Sequence, residues 1–232
     1  MTADVQGVLP APPQAVAFDV NETLTDLSAL GGLFDGFGLG ENALAWWFAA
    51  LLRDGLALAA AGDAGSFPDL AVVALEEVFA ACGREVPAGA AEDLLQAFRE
   101  VPVHPDVAPA LKRLAEAGVP AFALTNGGVA AAELILERAG VRFMFADVLS
   151  VDAVAHWKPR PEPYEYAAQV AGVPRSRLAM VAVHPWDLHG AAAAGLVTGW
   201  ARRGRRSFPP VFRRPTVEAA DLVGVIELLL GL

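Results

Sequence analysis

The sequence AVAFDVNETL, residues 15–24, decides the fold. Its first four residues are apolar, and a polar segment follows that includes Asp19 and Thr23. A short apolar run that ends in polar residues is typical of a strand buried on both faces of a parallel sheet. We therefore predict a strand that has Asp19 at its carboxyl end.

Three further segments have the same character, and stretches with helical periodicity separate them. This alternation predicts the α/β class, with a Rossmann-like doubly wound parallel sheet. In such sheets ligands bind beyond the carboxyl ends of the strands. The predicted strands lie in residues 120–126, 145–150 and 178–183, and the predicted helices cover residues 106–117, 129–139 and 162–171, each followed by a glycine.

Residues 27–103 interrupt this pattern because they are rich in Ala and Leu, with helical periodicity and no convincing strand. Several glycines mark the start of the segment, and Pro102 marks its end. We predict an inserted helical cap at residues 27–103 on a Rossmann-like core made of residues 1–26 and 104–232. The alternative is that these helices belong to one larger domain.

Composition limits the function classes. Hydrophobic residues make up 55% of the chain and charged residues 19%, which excludes a disordered protein. The net charge of −10 repels a phosphate backbone, so we expect no nucleic-acid partner. Six arginines within residues 202–214 form either a solvated loop or a patch that steers anions.

Cysteine content and the length of the apolar stretches indicate the compartment. Cys82 is the single cysteine, so the chain has no internal disulfide, which suits a reducing compartment. The longest apolar stretch, residues 43–52, stops at Arg53 and is shorter than the roughly 20 residues that span a bilayer. We expect a cytoplasmic protein with no membrane partner.

Polar residues at predicted strand ends are the candidates for chemistry. Asp19 is a potential nucleophile if backbone donors and a cation hold it. Lys158, one of two lysines, can supply that cation. Other strand ends carry a hydroxyl, an amide, an imidazole and a second carboxylate, on Thr125, Asn126, His184 and Asp187.

Taken in order, these residues resemble the four motifs of the haloacid dehalogenase superfamily. Asp19 and Thr23 match the first motif, Thr125 the second, Lys158 the third and Asp187 the fourth. Within the superfamily the chain is most similar to the (S)-2-haloacid dehalogenases, which share Asn126, Tyr164 and the pair of Trp186 with Asp187.

The resemblance implies a hydrolase that acts on a small anionic 2-haloacid. Asp19 would displace halide from C2 and form an ester, and water activated by Asp187 would then attack the Asp19 carbonyl carbon. It also implies no cofactor and a homodimer formed through the cap. The implied catalytic residues are Asp19, Thr23, Thr125, Lys158 and Asp187, and the implied substrate-binding residues are Asn21, Asn126, Tyr164, His184 and Trp47.

The chain departs from the dehalogenase pattern at several positions. The family's halide-binding Arg in the first cap helix corresponds to Trp47 or Phe48, and Arg53 is a distant substitute. The motif-four Ser and Asn correspond to Ala182 and His184. The aromatic residues of the cap either form a wall that excludes water from the substrate or belong to the apolar core of the cap.

Two alternatives follow from these departures. Superfamily phosphatases have an Asp where this chain has Asn21, and Val183 replaces an acid that helps to hold Mg²⁺, so we predict no metal site. A phosphatase acting on a small phosphomonoester is the second hypothesis, and phosphonate cleavage is a further one. A degraded, non-catalytic binding module is the third class.

Overall fold

A computed structural model describes residues 11–205 and 207–232, which form a six-stranded parallel sheet. The strand order is β3-β2-β1-β4-β5-β6, with every neighbouring pair parallel. The predicted α/β class and doubly wound sheet are confirmed. The strands are β1 (Ala15–Phe18), β2 (Ala121–Thr125), β3 (Asp147–Ser150), β4 (Leu178–Ala182), β5 (Val197–Ala201) and β6 (Val217–Ala219).

The inserted segment forms helices that pack around their own apolar cluster, which includes Phe34, Trp47 and Phe79. Ser66 caps its third helix by accepting a hydrogen bond from the Asp69 N–H at 3.2 Å. The only contact of strand type described near its ends is the bridge between Thr25 and Val103. The helices are α1 (Gly31–Gly36), α2 (Ala43–Ala61), α3 (Phe67–Ala81) and α4 (Ala90–Phe98). The domain bounds at 26/27 and 103/104 stay a prediction.

Helix α2 is longer than the apolar stretch seen in the sequence. It continues through Arg53 to Ala61, so the expectation that no segment approaches the length of a membrane span is wrong. By length and composition alone α2 could cross a membrane. Its buried residues, including Trp47 and Leu51, pack into the apolar cluster of the insert, as those of a core helix do.

Helices cover both faces of the sheet, as the alternation of side chains along β1 shows. Val16 and Phe18 belong to the apolar cluster on one face, and Ala15 and Ala17 belong to the cluster on the other. The strands are therefore buried on both sides, which explains their continuous apolar sequences. The core helices are α5 (Val107–Glu116), α6 (Val129–Arg138), α7 (Pro161–Ala171), α8 (Pro185–Ala193) and α9 (Leu222–Leu230).

The strand order reverses between β1 and β4, which are neighbours in the sheet. Phe18 pairs with Val181 in this register, so the residues after the two strands emerge side by side. In an open parallel sheet the crevice at this switch point binds ligands. The fold thus brings Asp19, which follows β1, next to His184, which follows β4.

Candidate active site

Asp19 lies at the centre of a buried polar cluster. Its side chain is 6% exposed, and both of its carboxylate oxygens accept hydrogen bonds. Lys158 Nζ donates to Oδ1 at 2.8 Å, and Thr23 Oγ1 donates to Oδ2 at 2.7 Å. Thr23 in turn accepts from the Val183 N–H at 3.1 Å, which ties the loop after β1 to the end of β4. The carboxylate is therefore fixed in orientation and largely free of solvent.

Lys158 bridges Asp19 and a second carboxylate, Asp187. Its ammonium group lies 2.7 Å from Asp187 Oδ2 and also donates to the Leu124 carbonyl at 2.9 Å, so all three of its N–H groups have acceptors. The Lys158 side chain is fully buried. Asp19, Lys158 and Asp187 thus converge at one edge of the sheet.

Asn126 holds the backbone of Lys158. Its amide oxygen accepts from the Lys158 N–H at 3.0 Å, and its amide nitrogen donates to the Lys158 carbonyl at 3.3 Å. Both polar ends of the Asn126 side chain are therefore engaged on the lysine backbone. This geometry gives Asn126 a role in positioning Lys158, and its predicted contact with substrate stays a prediction.

Tyr164 and Asp187 form a pair beneath Lys158. The Tyr164 hydroxyl lies 2.6 Å from Asp187 Oδ1, and both side chains are fully buried. The structure therefore places Tyr164 behind the second carboxylate, and its predicted contact with substrate stays a prediction. Asp187 also lies in the first turn of α8, where the helix dipole favours a negative charge.

His184 links Asp19 to a residue that the sequence analysis missed, Glu22. Its Nδ1 lies 3.0 Å from Asp19 Oδ2 and its Nε2 lies 2.8 Å from Glu22 Oε2. Glu22 has a φ of 61°, a left-handed conformation that is uncommon outside glycine and is often found at functional sites. No sequence signal marks it, because its role depends on this backbone conformation.

The pKa values of the two carboxylates, Asp19 and Asp187, are shifted in opposite directions. Burial alone would raise the pKa of Asp19, but the charges of Lys158 and His184 outweigh it and hold that pKa well below its usual range. Burial raises the pKa of Asp187, and the nearby charge of Asp19 raises it further. The charge of Lys158 lowers this pKa but does not outweigh the other two effects. The pKa of Asp19 therefore lies below that of Asp187.

The cations of the cluster are stabilised in their charged forms. Burial lowers the pKa of His184, but its hydrogen bonds to Asp19 and Glu22 outweigh burial and raise that pKa to about 9. Burial likewise opposes the charge of Lys158, and Asp187 and Asp19 together raise the pKa of Lys158 above its usual value. Near neutral pH, Asp19 therefore lies between an imidazolium and an ammonium.

A cavity of about 550 Å³ adjoins this cluster. Asn21 and Thr125 line it, so these two predicted site residues face space that a ligand can enter. Thr125 Oγ1 accepts from the Gly127 N–H at 2.9 Å, which shapes the turn into α6. Helices α4 and α6 form much of the remaining wall.

Two cap residues differ from their predicted positions. Trp47 is fully buried in the apolar cluster of the insert and donates its indole N–H to the Ala71 carbonyl at 2.8 Å. Its neighbour Phe48 faces the site, with its ring centroid 6.1 Å from that of His184. The Arg53 side chain is 55% exposed and pairs with Glu77, so it is not a substitute for a halide-binding arginine.

Comparison with known proteins agrees with this geometry. The model of the haloacid dehalogenase-like hydrolases matches residues 13–195. The chain belongs to this family. It is 28% identical to (S)-2-haloacid dehalogenase H-109 of Pseudomonas putida, over 94% of this chain and 99% of that protein. It is 29% identical to the (S)-2-haloacid dehalogenase of Pseudomonas sp. strain YL, over 93% of this chain and 94% of that one.

A solved structure of a dehalogenase also resembles this chain over nearly its whole length. The L-2-haloacid dehalogenase RSc1362 superposes with a TM-score of 0.89 at 27% identity, covering 94% of this chain and 99% of that one. The predicted resemblance and the prediction of a hydrolase are therefore confirmed.

Some members of the superfamily bind Mg²⁺, a cation that needs several oxygen ligands. The space between Asp19 and Asp187 is taken by the Lys158 ammonium, which contacts both carboxylates. Val183 contributes only an apolar side chain at the end of β4. Within residues 11–205 and 207–232, no three His, Cys, Asp or Glu side chains are grouped to hold a metal ion. The residues do not fit the ion.

Proposed function

We propose that this hydrolase removes halide from 2-haloacids through an ester on Asp19. The observation that supports this proposal most strongly is the ionised, buried Asp19 carboxylate held between Lys158 and His184. A desolvated carboxylate is a far better nucleophile than a hydrated one. The dehalogenase names of the relatives support the choice of substrate.

In the first step, a carboxylate oxygen of Asp19 attacks C2 of the haloacid. The new O–C2 bond forms as the carbon–halogen bond breaks, and the halide leaves with the bonding electron pair. Lys158 and Thr23 keep the carboxylate in place during the attack. The charge of Asp19 disappears when the ester forms.

In the second step, water attacks the ester carbonyl carbon of Asp19. The C2–O bond of the product remains intact, so the 2-hydroxyacid leaves with the original carboxylate oxygen, and the water oxygen stays in Asp19. One water proton goes to the departing alkoxide and the other to solvent. This sequence restores the enzyme.

The structure offers a second candidate for activating that water, besides the predicted Asp187. Both oxygens of Asp187 are engaged, by Lys158 and Tyr164, and the side chain is fully buried. His184 directly contacts Asp19, and esterification removes a negative charge that holds its proton. Its pKa then falls, the imidazolium releases its proton to solvent, and the neutral imidazole, supported by Glu22, accepts a proton from the attacking water and passes it to the departing alkoxide.

The experiment that tests the function is a substrate panel assayed with and without EDTA. We expect halide release from 2-halopropionates that EDTA does not change. Mg²⁺-dependent phosphate release from monoesters, without halide release, would instead establish the phosphatase hypothesis. Release of neither halide nor phosphate would favour the binding module. The cytoplasmic location and the homodimer also remain proposals, and sedimentation measures the second.

A further inference from the structure

The cavity next to the catalytic cluster is larger than a short haloacid requires. Its volume of about 550 Å³ lies in the range of roughly 300 to 1,000 Å³ that is typical of pockets for drug-sized ligands. A 2-halopropionate carries only a methyl group beside its reacting carbon and would leave most of this space unused.

The position of the cavity connects it to the reacting group. Val20 and Asn21, which directly follow Asp19, line one end together with Thr125. From there the cavity runs between α4 of the cap and α6 of the core, and its lining includes the exposed residues Ala130 and Leu134. The cavity therefore includes both residues next to Asp19 in the chain and residues exposed to solvent.

The inner wall of the cavity is apolar. Phe67, Phe98 and Ile135 are buried residues that line it. The two charged lining residues, Arg99 and Asp152, have opposite signs and are both exposed. Such a wall stabilises apolar groups by removing them from water, and it gives no comparable benefit to a polar chain.

We propose that this cavity accepts the C2 substituent of the substrate, and that the enzyme prefers 2-haloacids with a medium-length alkyl substituent. This inference rests on the proposed dehalogenation. It assigns the carboxylate and halogen to the cluster at Asp19 and the alkyl chain to the passage between α4 and α6. The substrate is then larger than the short haloacid that the sequence resemblance implies.

The test is kcat/KM for bromide release along the series from 2-bromopropionate to 2-bromooctanoate. We expect kcat/KM to rise with chain length, by up to about four-fold per buried methylene. A flat or falling series in an enzyme that turns over 2-bromopropionate would overturn the proposal.

Substitutions on α6 locate the effect. Ala131→Phe places a ring in the cavity and should lower the ratio of kcat/KM for 2-bromooctanoate to that for 2-bromopropionate at least ten-fold, and Ala131→Leu should lower it less. Ala115→Phe makes the same change at an exposed position of α5 and should leave the ratio unchanged. An unchanged ratio in folded Ala131→Phe would mean that the alkyl chain of the substrate binds elsewhere.

A binding measurement separates failure of this inference from failure of the proposed function. If no bromide is released from any substrate, dehalogenation is wrong. Calorimetry with lactate and 2-hydroxyoctanoate then still tests the cavity. Tighter binding of the longer acid, lost in Ala131→Phe, supports an apolar-chain site, and equal affinities contradict it.

Discussion

The two carboxylates that flank Lys158 share one ammonium group, yet their pKa values are shifted in opposite directions. Asp19 has further donors in Thr23 and His184, and its pKa is lowered. Asp187 has only the neutral Tyr164 hydroxyl and the like charge of Asp19 nearby, and its pKa is raised. The comparison teaches that the further partners of each carboxylate, rather than the shared lysine, set the direction of its pKa shift and favour Asp19 as the proposed nucleophile.

The largest effect should come from removing each carboxylate in turn. Asp19→Asn should lower kcat by at least about 10⁴-fold because no nucleophile remains. Asp187→Asn should lower it by about 10²-fold, since Asp19 and His184 stay in place. Halide release, with circular dichroism to confirm folding, measures both. Equal losses in the two variants would mean that the carboxylates are not distinct in role.

Removing the shared cation should destabilise the fold as well as stop the reaction. Lys158→Met leaves two buried carboxylates without their partner, so we expect the free energy of unfolding to fall by about 3–5 kcal/mol. Lys112→Met, which changes the other lysine on an exposed face, should change it by less than about 0.5 kcal/mol. Urea denaturation measures both, and similar values for the two variants would argue against a shared buried ion pair.

Much of this comparison could be predicted from the sequence. Strand ends in a parallel sheet meet at one edge, so the apolar runs before Asp19 and Asp187 were enough to bring these carboxylates together. Two strands were not predicted. Strand β5 contains Gly199, which packs closely against Val225 and weakens the strand pattern, and β6 has only three residues.

The partners of the cluster were harder to predict because they depend on side-chain direction. Glu22 reaches His184 through a left-handed backbone conformation, and Asn126 turns to the Lys158 backbone. The rotation of α2 decides that Phe48 and not Trp47 faces the site. Adjacent residues on a helix point about 100° apart, and the apolar pattern around these two residues does not specify which one points inward.

A smaller effect concerns His184, which contacts Asp19 and not Asp187. The pKa of His184 is raised to about 9, so its ion pairs stabilise the folded state fully below its unfolded pKa of roughly 6.5, and this stabilisation is lost as pH rises through the folded pKa. We expect the difference in free energy of unfolding between wild type and His184→Asn to shrink by about 3 kcal/mol over that window.

The matched control for this pH dependence is His156→Asn, which lies outside the cluster and contacts the Val154 carbonyl. Its difference from wild type should show no comparable drop over the same pH window. A His184 difference that stays constant with pH would show that the imidazole is not charged in the folded protein.

The central claim is that the Asp19 carboxylate attacks the substrate, and one turnover in ¹⁸O-labelled water tests it most directly. With enzyme in excess over 2-haloacid, mass spectrometry of the peptide that contains Asp19 should show one ¹⁸O atom in its carboxylate, and the 2-hydroxyacid should be unlabelled. Label in the hydroxyacid with none in Asp19 would show that water attacks C2 itself and would contradict the account.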